Sequence, residues 1–179
     1  MRRDVSPSSA PAPASATGRA AVAILPLGAA EIRVAALIHK EAFGFDAWDE
    51  RAIADLLAMP GAVGRLAVDR SVEPPEPLGF TLLLFVAEDA ELLTVGVRPA
   101  ARRRGVATRL MTDFFDMARQ RRATNAFLEV AADNVPAQRL YARLGFLIEG
   151  TRRDYYKRPG NKRVSAHLLR RPIGQNSEA

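Results

Sequence analysis

Residues Leu92 to Met111 read LLTVGVRPAARRRGVATRLM, and the rest of the chain is best read outward from them. An apolar, β-type run (Leu92-Leu93-Thr94-Val95-Gly96-Val97) meets Arg98-Pro99, passes through a small and basic turn, and opens at Gly105 into an amphipathic helix. A strand that ends in backbone amides at a helix N-terminus is an anion site. Those amides have no acceptor within the helix, and the helix dipole favours negative charge there. Arg102, Arg103 and Arg104 add three cations, while Gly105 and Ala107 keep side chains out of the way of an approaching phosphate. An ordinary strand-to-helix turn with a solvated basic edge has the same composition, so the turn alone leaves both readings open. Two other phosphate loops are excluded. The chain has no GxxxxGK[ST] and no GxGxxG with an acidic residue downstream.

At 179 residues and 48% hydrophobic content, the chain suits one globular domain with a real core. Zero cysteines exclude disulfides, thiolate nucleophiles and cysteine-ligated metal, and fit a reducing cytoplasm, the compartment expected here. His39 and His167 are far apart with no ligand-spaced partners, so no metal is expected. No run approaches the roughly 18 apolar residues of a membrane span, so no membrane partner is expected. The net charge of +6 suits polyanionic surroundings such as RNA, the ribosome or a phosphorylated cofactor. That is an argument about the field. With no RNP-like or zinc-finger pattern, direct nucleic-acid binding is not expected. Residues 1–19 are Ala/Pro/Ser-rich and read as a disordered extension; Arg2-Arg3 precede no apolar segment, so this is not a secretory signal. Residues 20–171 form the domain, and 172–179 read as a flexible tail.

The order of elements is legible from periodicity. Strands are expected at Ala21–Leu27, Val63–Val68, Leu78–Val86, Leu92–Val97, Thr124–Ala131, Leu147–Arg152 and Arg163–Leu169. The three prolines of Glu73-Pro74-Pro75-Glu76-Pro77 argue for a loop before the third strand. Helices are expected at Ala30–Phe43, Asp49–Ala58, Gly105–Arg121 and Asn134–Leu144. In the third helix Val106, Leu110, Met111, Phe114, Met117 and Ala118 share one face. In the fourth, Asn134 is a candidate N-cap, Pro136 lies in the first turn and Gly145 takes the C′ position. The order βααβββαβαββ is an α/β chain with a mixed central sheet flanked by helices.

A second constellation lies in Phe127 to Phe146, FLEVAADNVPAQRLYARLGF. Strand alternation puts Glu129 with Phe127 and Ala131, opposite Leu128 and Val130, so Glu129 is a carboxylate in an otherwise apolar strand. Alone it reads as a solvent-facing Glu, and Tyr141, on the Ala137-Leu140-Tyr141-Leu144 helix face, as a core aromatic. Arg102-x-x-Gly105-x-Ala107 directly after a β-run resembles the pyrophosphate-binding signature of the Gcn5-related N-acetyltransferases. Leu128-Glu129-Val130, Asn134, Leu140-Tyr141 and Leu144-Gly145-Phe146 resemble the bacterial ribosomal-protein-alanine N-acetyltransferases, as does Arg152-Arg153-Asp154-Tyr155-Tyr156. The likeness is dense from Leu92 to Leu169 and thinner from Ala21 to Glu91, where Ala42-Phe43 and Trp48 are the main echoes.

The resemblance implies an acetyltransferase fold for the domain and acetyl-coenzyme A as cosubstrate. It implies Glu129 as general base and Tyr141 as general acid. The backbone of Val95, Gly96 and Val97 would hold the acetyl and pantetheine end. Arg103, Arg104, Gly105, Val106, Ala107 and Thr108 would cradle the pyrophosphate, and Asn134 would contact the cofactor. Two residues depart from the pattern. Ala107 stands where Gly is usual, and Ala131 where an Arg is often found, which puts part of the usual contact in doubt.

The residue types suit the chemistry. A Glu in a partly apolar setting has a raised pKa and is a better base near neutrality. A tyrosine at about 10 protonating a thiolate at about 8.5 is uphill by roughly 2 kcal/mol. An amide near Gly96 could stabilise the oxyanion, though Gly there also fits a bulge. Neutralising a lysine costs roughly 3.4 kcal/mol more than neutralising an α-amine. A single Glu with no second carboxylate in view therefore favours a protein N-terminus as acceptor. By resemblance this is the N-terminal alanine of a small-subunit ribosomal protein, with a small-molecule amine as the alternative and a non-catalytic ribosome- or RNA-binding module as a third reading. The peptide is expected between the Phe43/Trp48 region and the hairpin of Arg153, Tyr155 and Tyr156.

Overall fold

Alternating apolar runs become strands, and runs at helical spacing cover them. The computed structural model describes residues 22–174; the extension expected over 1–19 and residues 175–179 lie outside the described residues. The strands are β1 (Val22–Leu27), β2 (Ala62–Asp69), β3 (Glu76–Val86), β4 (Asp89–Val97), β5 (Asn125–Ala131), β6 (Leu147–Arg158) and β7 (Lys162–Pro172). They form one seven-stranded sheet in the order β1-β2-β3-β4-β5-β7-β6. Every neighbouring pair is antiparallel except β4 with β5, so the sheet is mixed as expected.

Helices α1 (Ile32–Phe43) and α2 (Glu50–Leu57) bury Ala35, Ile38 and Ile53 against Leu66, Val68, Phe80 and Leu82 on one side of the sheet. Asp49 caps α2, its Oδ1 accepting from the Ala52 amide at 2.8 Å, which satisfies one of the first-turn donors. On the other side α3 (Val106–Gln120) and α4 (Val135–Arg143) bury Met111, Phe114, Phe115, Ala118 and Tyr141 against Leu83, Leu92, Leu128 and Val130. Val106 and Leu110 extend this layer over Ala67 and Leu78. A bidentate pair fixes α3 on β2: Arg65 Nε and Nη2 each donate to Asp113 at 2.8 Å.

Several boundaries differ from the sequence reading, among them the start of β4, at Asp89 and not Leu92. The third strand begins at Glu76 and includes Pro77, because Pro77 lies opposite Val68 beside a register shift that leaves Leu78 without a partner. A bulge is one of the few places in a sheet that tolerates the missing donor. The last hairpin is also longer than expected. β6 continues past Arg152 to Arg158, because four positions of β6 (Arg152 to Tyr156) span only two of β7 (Ala166 to Val164). The resulting bulge, with Asp154 at φ 52°, hides the alternation by which a strand is recognised. Finally, β7 reaches Pro172, and Ile173 is buried with its amide donating to the Thr124 carbonyl at 2.8 Å, so the tail does not begin at 172.

Candidate functional site

The site arises from an interruption in the sheet. β4 and β5 pair only from Asp89–Leu92 to Asn125–Leu128. In β4 the register against β3 shifts so that Leu83 faces Leu92 and Leu82 faces Thr94, leaving Leu93 as a bulge. Leu92 packs among α3 residues, while Leu93 packs against the α1 side and Thr94 reaches His39 of α1. Past the bulge the strands part, and a cleft of about 690 Å³ opens, lined by Leu92 to Val95, Val97, Glu129 to Ala131, Asn134 and Tyr141. The bulge that Gly96 could have marked is thus at Leu93. Gly96 has another reason: a Cβ there would lie 2.9 Å from Phe80 Cε1.

The turn after β4 is built to leave its amides outward. Arg103 at φ 62° and Gly105 at φ 81° are both left-handed. The Arg102 amide bonds to the Pro99 carbonyl at 3.2 Å, and among the described residues the next amide to find a backbone carbonyl is that of Arg109, on Gly105 at 3.0 Å. A Cβ at Gly105 would meet nothing within 4 Å, so the position faces open space in the cleft, whose lining includes Arg102, Arg103, Gly105, Val106, Ala107 and Thr108. The three arginines separate into roles that sequence could not assign. Arg104 Nη2 donates to Asp69 Oδ2 at 2.8 Å, and Arg102 Nη2 to the Ala42 carbonyl at 3.3 Å. Arg103 alone of the three makes no ion pair or hydrogen bond among the described residues. The Ser71 hydroxyl and amide, with Arg104, hold Asp69 below the usual carboxylate range. The turn is therefore pinned to β2 and α1 and leaves one arginine for an anion.

Tyr141 is 6% exposed, edge-on to Phe146 at 5.9 Å, and lines the cleft. Its hydroxyl makes no hydrogen bond among the described residues. Burial, then the nearby Tyr156, pushes its phenol well above the ordinary tyrosine value, so proton donation is costlier than the unperturbed values imply. Asn134 caps α4 as expected, its Oδ1 accepting from the Ala137 amide at 3.2 Å, and it also lines the cleft.

Glu129 is not alone in an apolar strand. Arg152 Nη1 of β6 lies 2.9 Å from its Oε1, a partner that periodicity along β5 cannot reveal. A second carboxylate, Glu91, stands one strand away. Burial, then the charge of Glu129, pushes it up, and Arg152 opposes the rise. The expectation of a single carboxylate is thus corrected: the parallel β4–β5 pairing brings Glu91 beside Glu129, and Asp46 is a further carboxylate in the cleft lining.

Phe43 and Trp48, expected beside the acceptor, form an aromatic wall opposite, and His39, which the sequence did not point to, completes it. His39 lies between Phe43 (centroids 4.3 Å) and Trp48 (4.8 Å). Its Nδ1 accepts from the Trp48 amide at 3.0 Å, and its Nε2 faces Thr94 Oγ1 at 3.3 Å, so Nε2 carries the proton. Burial lowers its pKa to about 4. His39, Phe43, Trp48, Tyr156 and Arg158 all line the cleft. Of the paired tyrosines, Tyr156 turns to the cleft and Tyr155 stays 51% exposed, so they do not both pack into the sheet edge.

Residues 36–146 match the acetyltransferase (GNAT) family. The chain belongs to this family. It is 39% identical over 87 residues to the N-alpha-acetyltransferase RimI of Mycobacterium tuberculosis, covering 49% of this chain and 51% of that protein. It is 29% identical over 92 residues to the ribosomal protein bS18-alanine N-acetyltransferase of Haemophilus ducreyi, covering 51% and 63%. The chain matches these curated relatives over only about half to three-fifths of their length. The crystal structure of the ribosomal-protein-S18-alanine N-acetyltransferase from Escherichia coli superposes with a TM-score of 0.78 at 25% identity, covering 88% of this chain and 97% of that one. The GNAT match ends at Phe146, so the β6–β7 hairpin with Tyr155, Tyr156 and Arg158 lies outside it. No described helix is long and apolar enough to cross a membrane.

Proposed function

We propose that this GNAT chain is an acetyl-coenzyme A-dependent N-acetyltransferase of a protein N-terminal α-amine. The observation that carries the reading is the single cleft between the parted β4 and β5, which has the outward amides of the Arg103–Thr108 turn at its rim and Tyr141 and Glu129 in its walls. The open space at Gly105 fits a pyrophosphate. Acetyl-coenzyme A supplies an activated thioester there. The turn amides and Arg103 bind its phosphates, and the edge of β4 left unpaired past Leu92 offers backbone groups for an extended pantetheine arm. Glu129 takes the proton of the acceptor amine, directly or through a water, and Tyr141 supplies the proton to the departing sulfur.

The name of the Mycobacterium tuberculosis relative supports an N-terminal α-amine, and those of the Haemophilus ducreyi relative and the Escherichia coli structure support the alanine of a ribosomal protein. The cleft's aromatic wall and Tyr156 offer an extended peptide a flank. Thiol release from acetyl-coenzyme A, measured over a panel of peptides and small amines, tests this. A peptide beginning with Ala is expected to react at its α-amine, located by mass spectrometry, and the same peptide with a blocked N-terminus and a free lysine to react poorly. Turnover only with small amines, or mainly at lysine, overturns the N-terminal reading.

A further inference from the structure

Arg158 ends β6 and stands where three separate pieces of chain meet. Its Nε and Nη2 donate to Asp133 Oδ2 and Oδ1 at 2.9 and 3.0 Å, a bidentate pair, and its Nη1 donates to Asp46 Oδ2. Asp46 ends the short turn after α1, two residues before Trp48. Asp133 precedes Asn134, the cap of α4. The guanidinium carbon also lies 5.4 Å from the Tyr156 ring centroid and 5.8 Å from that of Phe45. Although it sits at a strand end beside a turn, the side chain is only 18% exposed. Most surface ion pairs contribute little, but a bidentate, shared guanidinium with its faces on aromatic rings is the geometry in which they do hold.

Asp46, Tyr156 and Arg158 line the same cleft as Glu129 and Tyr141. Arg158 therefore joins the segment carrying the aromatic wall to the β5–α4 turn, across the mouth of the cleft. We propose that Arg158 is a positioning residue that, by tying the α1–α2 connection to the β5–α4 turn, sets the width of the acceptor entrance. The proposal rests on the cleft's use in acetyl transfer. A tied entrance admits a slender chain end and discriminates against a bulky first side chain.

Trp48 is the sole tryptophan of the chain and lines the cleft, so it reports on the connection without any acceptor. In Arg158→Met, acrylamide quenching of Trp48 fluorescence is expected to rise about threefold as the connection loosens. Arg158→Lys, a point charge able to hold one carboxylate, should fall between Met and wild type. Asp133→Asn, a milder change, should also raise quenching. With peptides, Arg158→Met should raise acceptor KM about tenfold and narrow the preference for Ala over Leu as first residue, while acetyl-coenzyme A affinity stays within about twofold. Unchanged quenching in both Arg158→Met and Asp133→Asn overturns the proposal. So does a loss of acetyl-coenzyme A affinity equal to the rise in KM, which marks a general structural role. If wild type turns over no peptide, the N-terminal reading fails, and the quenching arm still decides the tie.

Discussion

Arg152 Nη1 lies 2.9 Å from Glu129 Oε1, and the same guanidinium faces the Tyr155 ring at 5.5 Å. The pair joins β5 to the edge strand just before the Arg153–Tyr155 bulge. The carboxylate proposed as base is thereby linked to the hairpin proposed to flank the acceptor. Glu129→Gln keeps shape and should lower kcat by about 10²-fold, and Glu91→Gln should lower it much less. Steady-state rates for the two variants check this; equal rates in Glu129→Gln and wild type, with a lowered Tm, would make the residue an ion-pair partner only.

Acetyl-coenzyme A affinity should depend on the shape of the 103–108 turn. Gly105→Val places a β-branched residue at φ 81° with its side chain in the open space of the cleft, and should weaken binding at least tenfold, about 1.4 kcal/mol. Asp69→Asn removes a charge from the partner that holds Arg104 and should weaken binding by about threefold through a slacker turn. Calorimetric titration with acetyl-coenzyme A reads both, and normal affinity in a folded Gly105→Val would refute the cradle.

Tyr141→Phe should lower kcat about 10²-fold with little change in acetyl-coenzyme A affinity. Because burial raises the phenol above its ordinary value, Tyr141 stays protonated across neutral pH. The pH profile of kcat/KM should therefore show no alkaline limb from this residue below about pH 10. A limb below that value that disappears in Tyr141→Phe would contradict the environment described. The sign for stability follows: the folded value exceeds the unfolded one, so the contribution is present below about pH 10 and lost as pH rises further.

His39 makes an opposite, acid-side prediction. Its pKa is lowered by burial from 6.5 to about 4, so the unfolded chain takes up a proton first as pH falls. Its contribution is full above about 6.5 and lost as pH falls through about 4. At about 1.36 kcal/mol per pH unit this is roughly 3 kcal/mol. Urea unfolding at pH 7 and pH 4.5 should show a smaller difference for His39→Gln than for wild type; equal differences would sink the assignment.

The strand Leu92–Val97, the turn at Gly105 and the helix after it are legible because each is a local pattern: a β-type run, a glycine after a basic run, an apolar stripe at helical spacing. Asn134 and Gly145 were legible as caps for the same reason, since a cap is a relation among residues within one turn. Glu129 and Tyr141 stand out by a family likeness, and Glu129 also as a carboxylate in an otherwise apolar strand, not by any visible partner. The bulges at Leu93 and Arg153–Tyr155 were not legible, because alternation is read within one strand, whereas a bulge is defined by the strand beside it.

By itself, then, the sequence determined the kind, order and approximate limits of the elements and the mixed α/β class, all consequences of local propensity and periodicity. Only the tertiary structure decided that Arg104 is held by Asp69 while Arg103 has no such partner among the described residues, that Glu129 has Arg152 and Glu91 for neighbours, that His39 is locked between Phe43 and Trp48, and that Arg158 joins Asp46 to Asp133. These are contacts between residues distant in the chain. Charge and ring contacts act through space and depend on burial, so their partners, and the pKa directions that follow, exist only once β4 and β5 pair, part, and set the helices and hairpin around the opening.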